Sequence, residues 1–244
     1  MQKKYKGTSF HLKEDVYMLF IFMDDDESRW DSQSISDYWY NHIEKATDFI
    51  EKWANQYGYK IKIHKGHYAT GYESLHMKYK GNSIIDLFKE DPGNAHMKQA
   101  ISCLGYDNLN AFHQYISTFS QQKQVAYAVV FNKEGVSYCT SDNEEVNGDY
   151  FQYAVLFRSY IGVDGGVEST IAHETLHLFG AQDYYDPFKN FPKRANMAEQ
   201  LCPNDIMLKV YKDLNYNEIN DFTAYSVGWL DEIPAQYNKK EWWE

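Results

Sequence analysis

Three cysteines in 244 residues, Cys103, Cys139 and Cys202, are too few and too widely spaced for a disulfide framework or a cysteine metal cluster. They read as free thiols in a reducing compartment. Basic residues are also short, with 24 Lys and Arg against 35 Asp and Glu and a formal net charge of −11. Nucleic acid and anionic membrane surfaces require clustered Lys and Arg, so neither is expected as a partner. No apolar run approaches the ~18 residues of a membrane span. The opening Met1-Gln2-Lys3-Lys4-Tyr5-Lys6-Gly7 leads into polar sequence rather than a signal-peptide core. As written the chain reads as cytoplasmic; secretion after removal of a leader, or by a leaderless route, is the alternative. What remains, 43% hydrophobic residues, is enough to bury one good core, so a single domain over 1–244 is expected.

Val16-Tyr17-Met18-Leu19-Phe20-Ile21-Phe22-Met23 is an unbroken apolar run, the pattern of a central strand covered on both faces. Asp24, Asp25 and Asp26 after it lack the spaced ligands of a cation loop and read as a solvated acidic turn. Apolar residues at 35, 39, 43, 46, 50, 53 and 57 fall at helical spacing, predicting a long amphipathic helix closed by Gly58. Alternation from Tyr59 to His64 predicts a second strand, joined to the first by a right-handed parallel crossover. Lys65-Gly66 reads as a turn that leaves His64 and His67 as surface histidines, and His96 and His113 are given the same reading. Ile84 to Gln122 reads as a helical insertion packed on the sheet. Val125–Phe131 is another buried strand; Asn132-Lys133-Glu134-Gly135 reads as a turn and Val136–Thr140 as its hairpin partner. Asp149–Tyr160 supplies a further strand, and Gly162, Gly165 and Gly166 loosen the chain beyond it. After residue 183 the chain is expected to be loop-rich, with Pro187, Pro192 and Pro203, until helical spacing resumes over Asn217–Leu230.

The chemistry concentrates in His173-Glu174-Thr175-Leu176-His177-Leu178-Phe179-Gly180-Ala181-Gln182-Asp183, which reads H-E-x-x-H-x-x-G-x-x-D. On a helix, His173 and His177 share one face and can aim ring nitrogens at a common point ~2.0–2.1 Å away, the geometry of zinc ligation. Glu174 is rotated by about 100° and can reach a water on the metal, which makes it the candidate general base. Gly180 is placed to end the helix in a left-handed conformation, so the chain can turn back and offer Asp183 as third ligand. Three protein ligands and an open fourth position describe one catalytic zinc ion. The plainer alternative is an ordinary helix on which these residues fell by chance. H-E-x-x-H alone arises that way in roughly 2% of such chains, and the added Gly and Asp reduce this to about one in ten thousand.

The pattern resembles the metzincin metallopeptidases, whose extended motif has histidine where this chain has Asp183. The aspartate variant resembles snapalysin-type proteases, and Gly180-Ala181-Gln182-Asp183-Tyr184-Tyr185-Asp186 is similar to the G-x-x-D-x-Y-D of immune inhibitor A-type peptidases. Pro203-Asn204-Asp205-Ile206-Met207 resembles a Met-turn, which implies Met207 beneath the metal; Ala224–Asp231 resembles the G-W-L segment of the same relatives. The likeness is specific over about residues 168–231. It implies an α+β fold: a mixed, mostly parallel twisted sheet with an antiparallel edge strand, packed by a long helix and the zinc helix. An upper subdomain of about 1–180 would sit over a loop-rich lower one of about 181–244 ending in a helix. It also implies that the edge strand Val136, Ser137, Tyr138, Cys139 and Thr140 pairs with an extended protein or peptide substrate. Leu208-Lys209-Val210-Tyr211 would wall the pocket beyond the scissile bond. Many metzincins carry a tyrosine two residues after the methionine; here that position is Lys209, which leaves Tyr211, Tyr184 and Tyr185 as candidates for transition-state contact.

The expected activity is hydrolysis of internal peptide bonds, with Glu174 moving the proton. Two rivals are a zinc hydrolase acting on a non-protein amide and a non-catalytic module holding a structural zinc. A base at Glu174 argues against the latter, whose metal would be closed by a fourth ligand.

Overall fold

The computed structural model describes residues 8–68, 77–78, 95–139, 152–160, 166–185 and 192–238. Its frame is an α+β arrangement around a mostly parallel sheet. β1 (Val16–Asp24), β2 (Ile63–Tyr68), β4 (Val125–Gly135), β5 (Tyr138–Cys139) and β6 (Tyr153–Tyr160) lie in the order β2-β1-β4-β6-β5, and the two-residue β3 (Met77–Lys78) also pairs with β1. All neighbours are parallel except β5, which runs antiparallel to β6 at the edge.

Alternation along the strands builds two cores. Met18, Phe20, Phe22, Ala128, Val130, Ala154 and Leu156 point to one face. There they meet the helical run α1 (Ser32–Tyr38), a π turn (Trp39–Ile43) and α2 (Glu44–Gln56), and the motif helix α5 (Val167–His177). Leu19, Ile21, Met23, Tyr127, Val129, Phe131 and Val155 point the other way, onto α3 (Ala95–Cys103) and α4 (Leu109–Ser120). Because both faces are covered, β1 and β4 are apolar almost throughout, as a central parallel strand must be.

The long helix begins earlier than its apolar spacing implies, since Asp31 accepts the Ser34 N–H at 2.7 Å in a capping box. It ends as expected: Gly58 has φ +87°, with Tyr59 N–H on Ala54 O and Gly58 N–H on Asn55 O, a Schellman closure.

Several sequence expectations are corrected. The second strand starts at Ile63 rather than Tyr59, and Lys65-Gly66 lies inside it rather than in a turn. The glycine serves close packing, because a Cβ there would sit 1.8 Å from the Tyr17 hydroxyl. Asn132–Gly135 is likewise no turn: β4 runs through it with a bulge between Phe131 and Glu134, and a Cβ on Gly135 would meet the Phe157 ring at 2.3 Å. The expected hairpin therefore does not exist, for β6 lies between β4 and β5. Asp24 and Asp25 are buried rather than solvated; Asp24 accepts the Trp30 N–H, while Asp25 accepts those of Glu27 and Ser28 and pairs with Lys133. His96 is buried and bonded to the Tyr138 hydroxyl, and half-buried His113 to that of Tyr127, so neither is a surface histidine.

A helix, α6 (Pro192–Leu201), stands in the stretch expected to be loop, with its proline in the first turn where a missing N–H costs nothing. The helix expected over 217–230 shrinks to α7 (Asp221–Ser226), capped by the Asn220 side chain. Residues 149–151, Pro187, Gly162, Gly165 and the first part of the insertion from Ile84 lie outside the described residues. All three cysteines are free thiols, with Cys202 buried. Among the described residues no helix is long and apolar enough to cross a membrane.

Candidate metal centre

α5 is buried continuously from Ser169 to Leu176, so its sequence shows no strong amphipathic stripe. Its start is fixed by Gly166, whose N–H binds Tyr211 O at 3.0 Å and whose missing Cβ leaves room for Lys212 O. Its end is a second Schellman closure, with Gly180 at φ +101° and Ala181 N–H on Leu176 O. That reversal carries Asp183 back over the last turn. Asp183 Oδ1 lies 3.1 Å from His173 Nε2 and 3.2 Å from His177 Nε2, and the two nitrogens are 3.1 Å apart.

These separations match the edges of a small tetrahedron, which for bonds of ~2.0–2.1 Å to zinc are on the order of 3.3 Å. The tautomers agree. His173 Nδ1 lies 2.9 Å from Ile206 O and His177 Nδ1 lies 2.8 Å from Ala181 O. Each carbonyl requires an N–H there, so in the neutral ring each Nε2 turns a lone pair toward a carboxylate oxygen. Asp183 Oδ1 is itself buried without a hydrogen bond of acceptable geometry. With both rings neutral, three electron-rich atoms this close could hold a cation, and the donor set of two imidazoles and a carboxylate suits a divalent metal.

Without a metal, a proton can take that place. Burial alone would lower His173, but the carboxylates of Asp183 and Glu174 raise it to about 9. Burial alone would raise Asp183, yet the two histidines hold it well below the ordinary carboxylate range. The negative charge of Asp183 must be met by a cation, either a proton on His173 or a metal. Glu174, 6% exposed, is pushed up by burial, with the two histidines opposing.

His173 and Glu174 form part of the wall of a cleft of about 930 Å³. Val136 and Ser137 line it on the edge-strand side and Leu208–Asp213 with Tyr216 line it opposite. The expected edge strand is reduced to Tyr138 and Cys139; Ser137 instead uses its hydroxyl to accept the Phe157 N–H, Val136 precedes it, and Thr140 lies outside the described residues.

The tyrosines separate. Tyr184 is fully buried with its hydroxyl on Thr223, so it is a core residue and cannot meet a ligand in the cleft. Tyr185, 41% exposed, lies roughly parallel to His173 at 6.2 Å between ring centroids, and Tyr211 lines the cleft with its hydroxyl 3.2 Å from Asn204 Oδ1. Met207 is fully buried. Its N–H binds Asp205 Oδ1 at 2.7 Å and its carbonyl accepts the Tyr184 N–H at 2.9 Å.

Two residues without an expected role brace this region. Asp205 holds the 205–207 turn, and Asn217 bridges Lys209 O and Tyr211 N–H, pinning the cleft wall. Periodicity could not find them, since both act through loop backbone. Asp205 offered one local signal, an aspartate two residues before the N–H it accepts, which is an Asx turn. Comparisons with protein-family models, curated proteins and solved structures find no match to this chain.

Proposed function

We propose that the chain is a zinc-dependent endopeptidase of metzincin-like type, with His173, His177 and Asp183 as metal ligands and Glu174 as general base. The observation that carries this reading is the convergence of two imidazole nitrogens and a carboxylate oxygen within 3.2 Å, beside Glu174 on a cleft wall. Zinc bound there supplies Lewis-acid polarisation of a carbonyl and lowers the pKa of water. Glu174 takes the proton of the attacking water and returns it to the leaving amine, a task suited to a carboxyl whose proton affinity burial has raised. Val136 and Ser137, which lead into β5, line the cleft on the side where an extended chain would lie, which favours a peptide over a small amide. Of the expected tyrosines Tyr185 and Tyr211 line the cleft, together with Tyr216, and these are the candidates for ligand contact.

Digestion of a mixed peptide library, read by mass spectrometry, tests the proposal. Internal cleavage that disappears with a chelator and in Glu174→Gln is expected. Cleavage confined to a non-peptide amide would move the chain to the other hydrolase class, and zinc uptake with no turnover on any substrate would make it a binding module.

A further inference from the structure

Asp205 touches no expected ligand and is 1% exposed, yet two routes of side-chain hydrogen bonds lead from it toward the metal site. Its Oδ1 accepts the Met207 N–H at 2.7 Å, closing an Asx turn over Ile206. The carbonyl presented by that turn, Ile206 O, is the one that receives His173 Nδ1 at 2.9 Å. On the other side, the Thr223 hydroxyl lies 3.0 Å from each carboxylate oxygen of Asp205. Thr223 has a single proton to give, so when it donates to Asp205 it accepts from the Tyr184 hydroxyl. Tyr184 directly follows Asp183, and its N–H is tied to Met207 O at 2.9 Å. The Asn220 N–H, at 2.8 Å, and its side-chain amide complete the shell of donors around the carboxylate.

We infer that Asp205 is a positioning residue that fixes two metal ligands at once, His173 through the Ile206 carbonyl and Asp183 through Thr223 and Tyr184. The inference rests on the metal centre proposed above. A merely structural role would need the carboxylate only as a satisfied core group. Two arms converging on two different ligands are more than that role requires. Removing the acceptor leaves the 205–207 turn without its closing bond and four donors without a partner, so the Ile206 carbonyl and the 183–184 segment lose their common reference. Partners that orient metal ligands typically cost 10–100-fold in metal affinity when lost.

The test is zinc affinity by chelator competition, together with the visible absorption of the cobalt-loaded protein, which reports ligand geometry. Asp205→Ala and Thr223→Val should bind zinc ~10–100-fold more weakly and alter the cobalt spectrum. Thr223→Ser, which keeps the hydroxyl, should restore both. Phe112→Leu, in the opposite core, should lower the melting temperature while leaving zinc affinity and spectrum unchanged. If Asp205→Ala does not fold, the Thr223 pair decides. Undiminished zinc affinity in folded Asp205→Ala or in Thr223→Val, or an equal loss in Phe112→Leu, would overturn the positioning role alone. Failure of the unaltered chain to take up zinc would overturn the metal centre and the Asp205 role with it.

Discussion

Glu174→Gln preserves size and removes the proton acceptor, so it separates holding a metal from using one. Zinc content and fold should be unchanged while hydrolysis falls by ~10²–10⁴, the usual contribution of a positioned base; turnover and elemental analysis on the same sample check both. Asp183→Ala should instead lose zinc, since two imidazoles remain without their carboxylate. Met207 is expected to act by packing, because it is fully buried and its backbone, not its sulfur, carries the observed hydrogen bonds. Met207→Leu should change stability by less than ~1.5 kcal/mol, whereas Met207→Ala should cost ~2–5 kcal/mol, read by denaturant titration. At this scale the sequence was informative where chemistry is local. His173, Glu174, His177, Gly180 and Asp183 lie within eleven positions, and helix geometry alone brings the first three together. Asp205, Asn220, Thr223 and Tyr184 meet across 15 to 39 positions through loop backbone, and no spacing rule reaches that far.

Elements were legible from apolar pattern and misleading from glycine. β1, β4 and the helix from Ser32 to Gln56 follow from runs and spacing that burial on one or both sides imposes. Gly66 and Gly135 looked like turn residues because glycine punctuates turns, but here each lies in a strand under an aromatic side chain. The two roles give opposite expectations. Gly135→Ala must displace the Phe157 ring and should cost ~1–3 kcal/mol, as overpacked cores do, whereas alanine in an exposed turn with ordinary φ would be neutral or slightly stabilising. Urea unfolding of this one variant distinguishes them. The short β5 could not be sized from sequence, since its pairing with β6 depends on Ser137 substituting a side-chain oxygen for a backbone one.

For the whole molecule, acid sensitivity follows from Asp25. Burial alone would raise its pKa, but Lys133 and the N–H groups of Glu27 and Ser28 prevail and carry it below its ordinary value. The native chain therefore releases that proton at a pH where the unfolded chain still holds it. The resulting stability is complete above the unfolded value of ~3.9 and is lost as pH falls through the lower folded value. Asp25→Asn should melt lower than the unaltered chain at neutral pH and show a flatter decline below pH ~4, a comparison that thermal melts from pH 2.5 to 7 make directly.

The segment Ser9–Leu12 has its own consequence for how the protein comes into being. Ser9 donates to Leu178 O at the end of the motif helix, the Leu12 N–H binds Val227 O, and the Trp229 indole donates to Leu12 O at 2.7 Å across 217 positions. In a growing polypeptide Ser9–Leu12 cannot be seated until Val227 and Trp229, more than 200 positions later, have been made. The histidine pair is translated well before the loops that orient it, so the proposed metal centre would take its final geometry only once residues 205–229 have been made. A nascent chain stalled short of Val227 should bind zinc poorly and remain proteolytically inert.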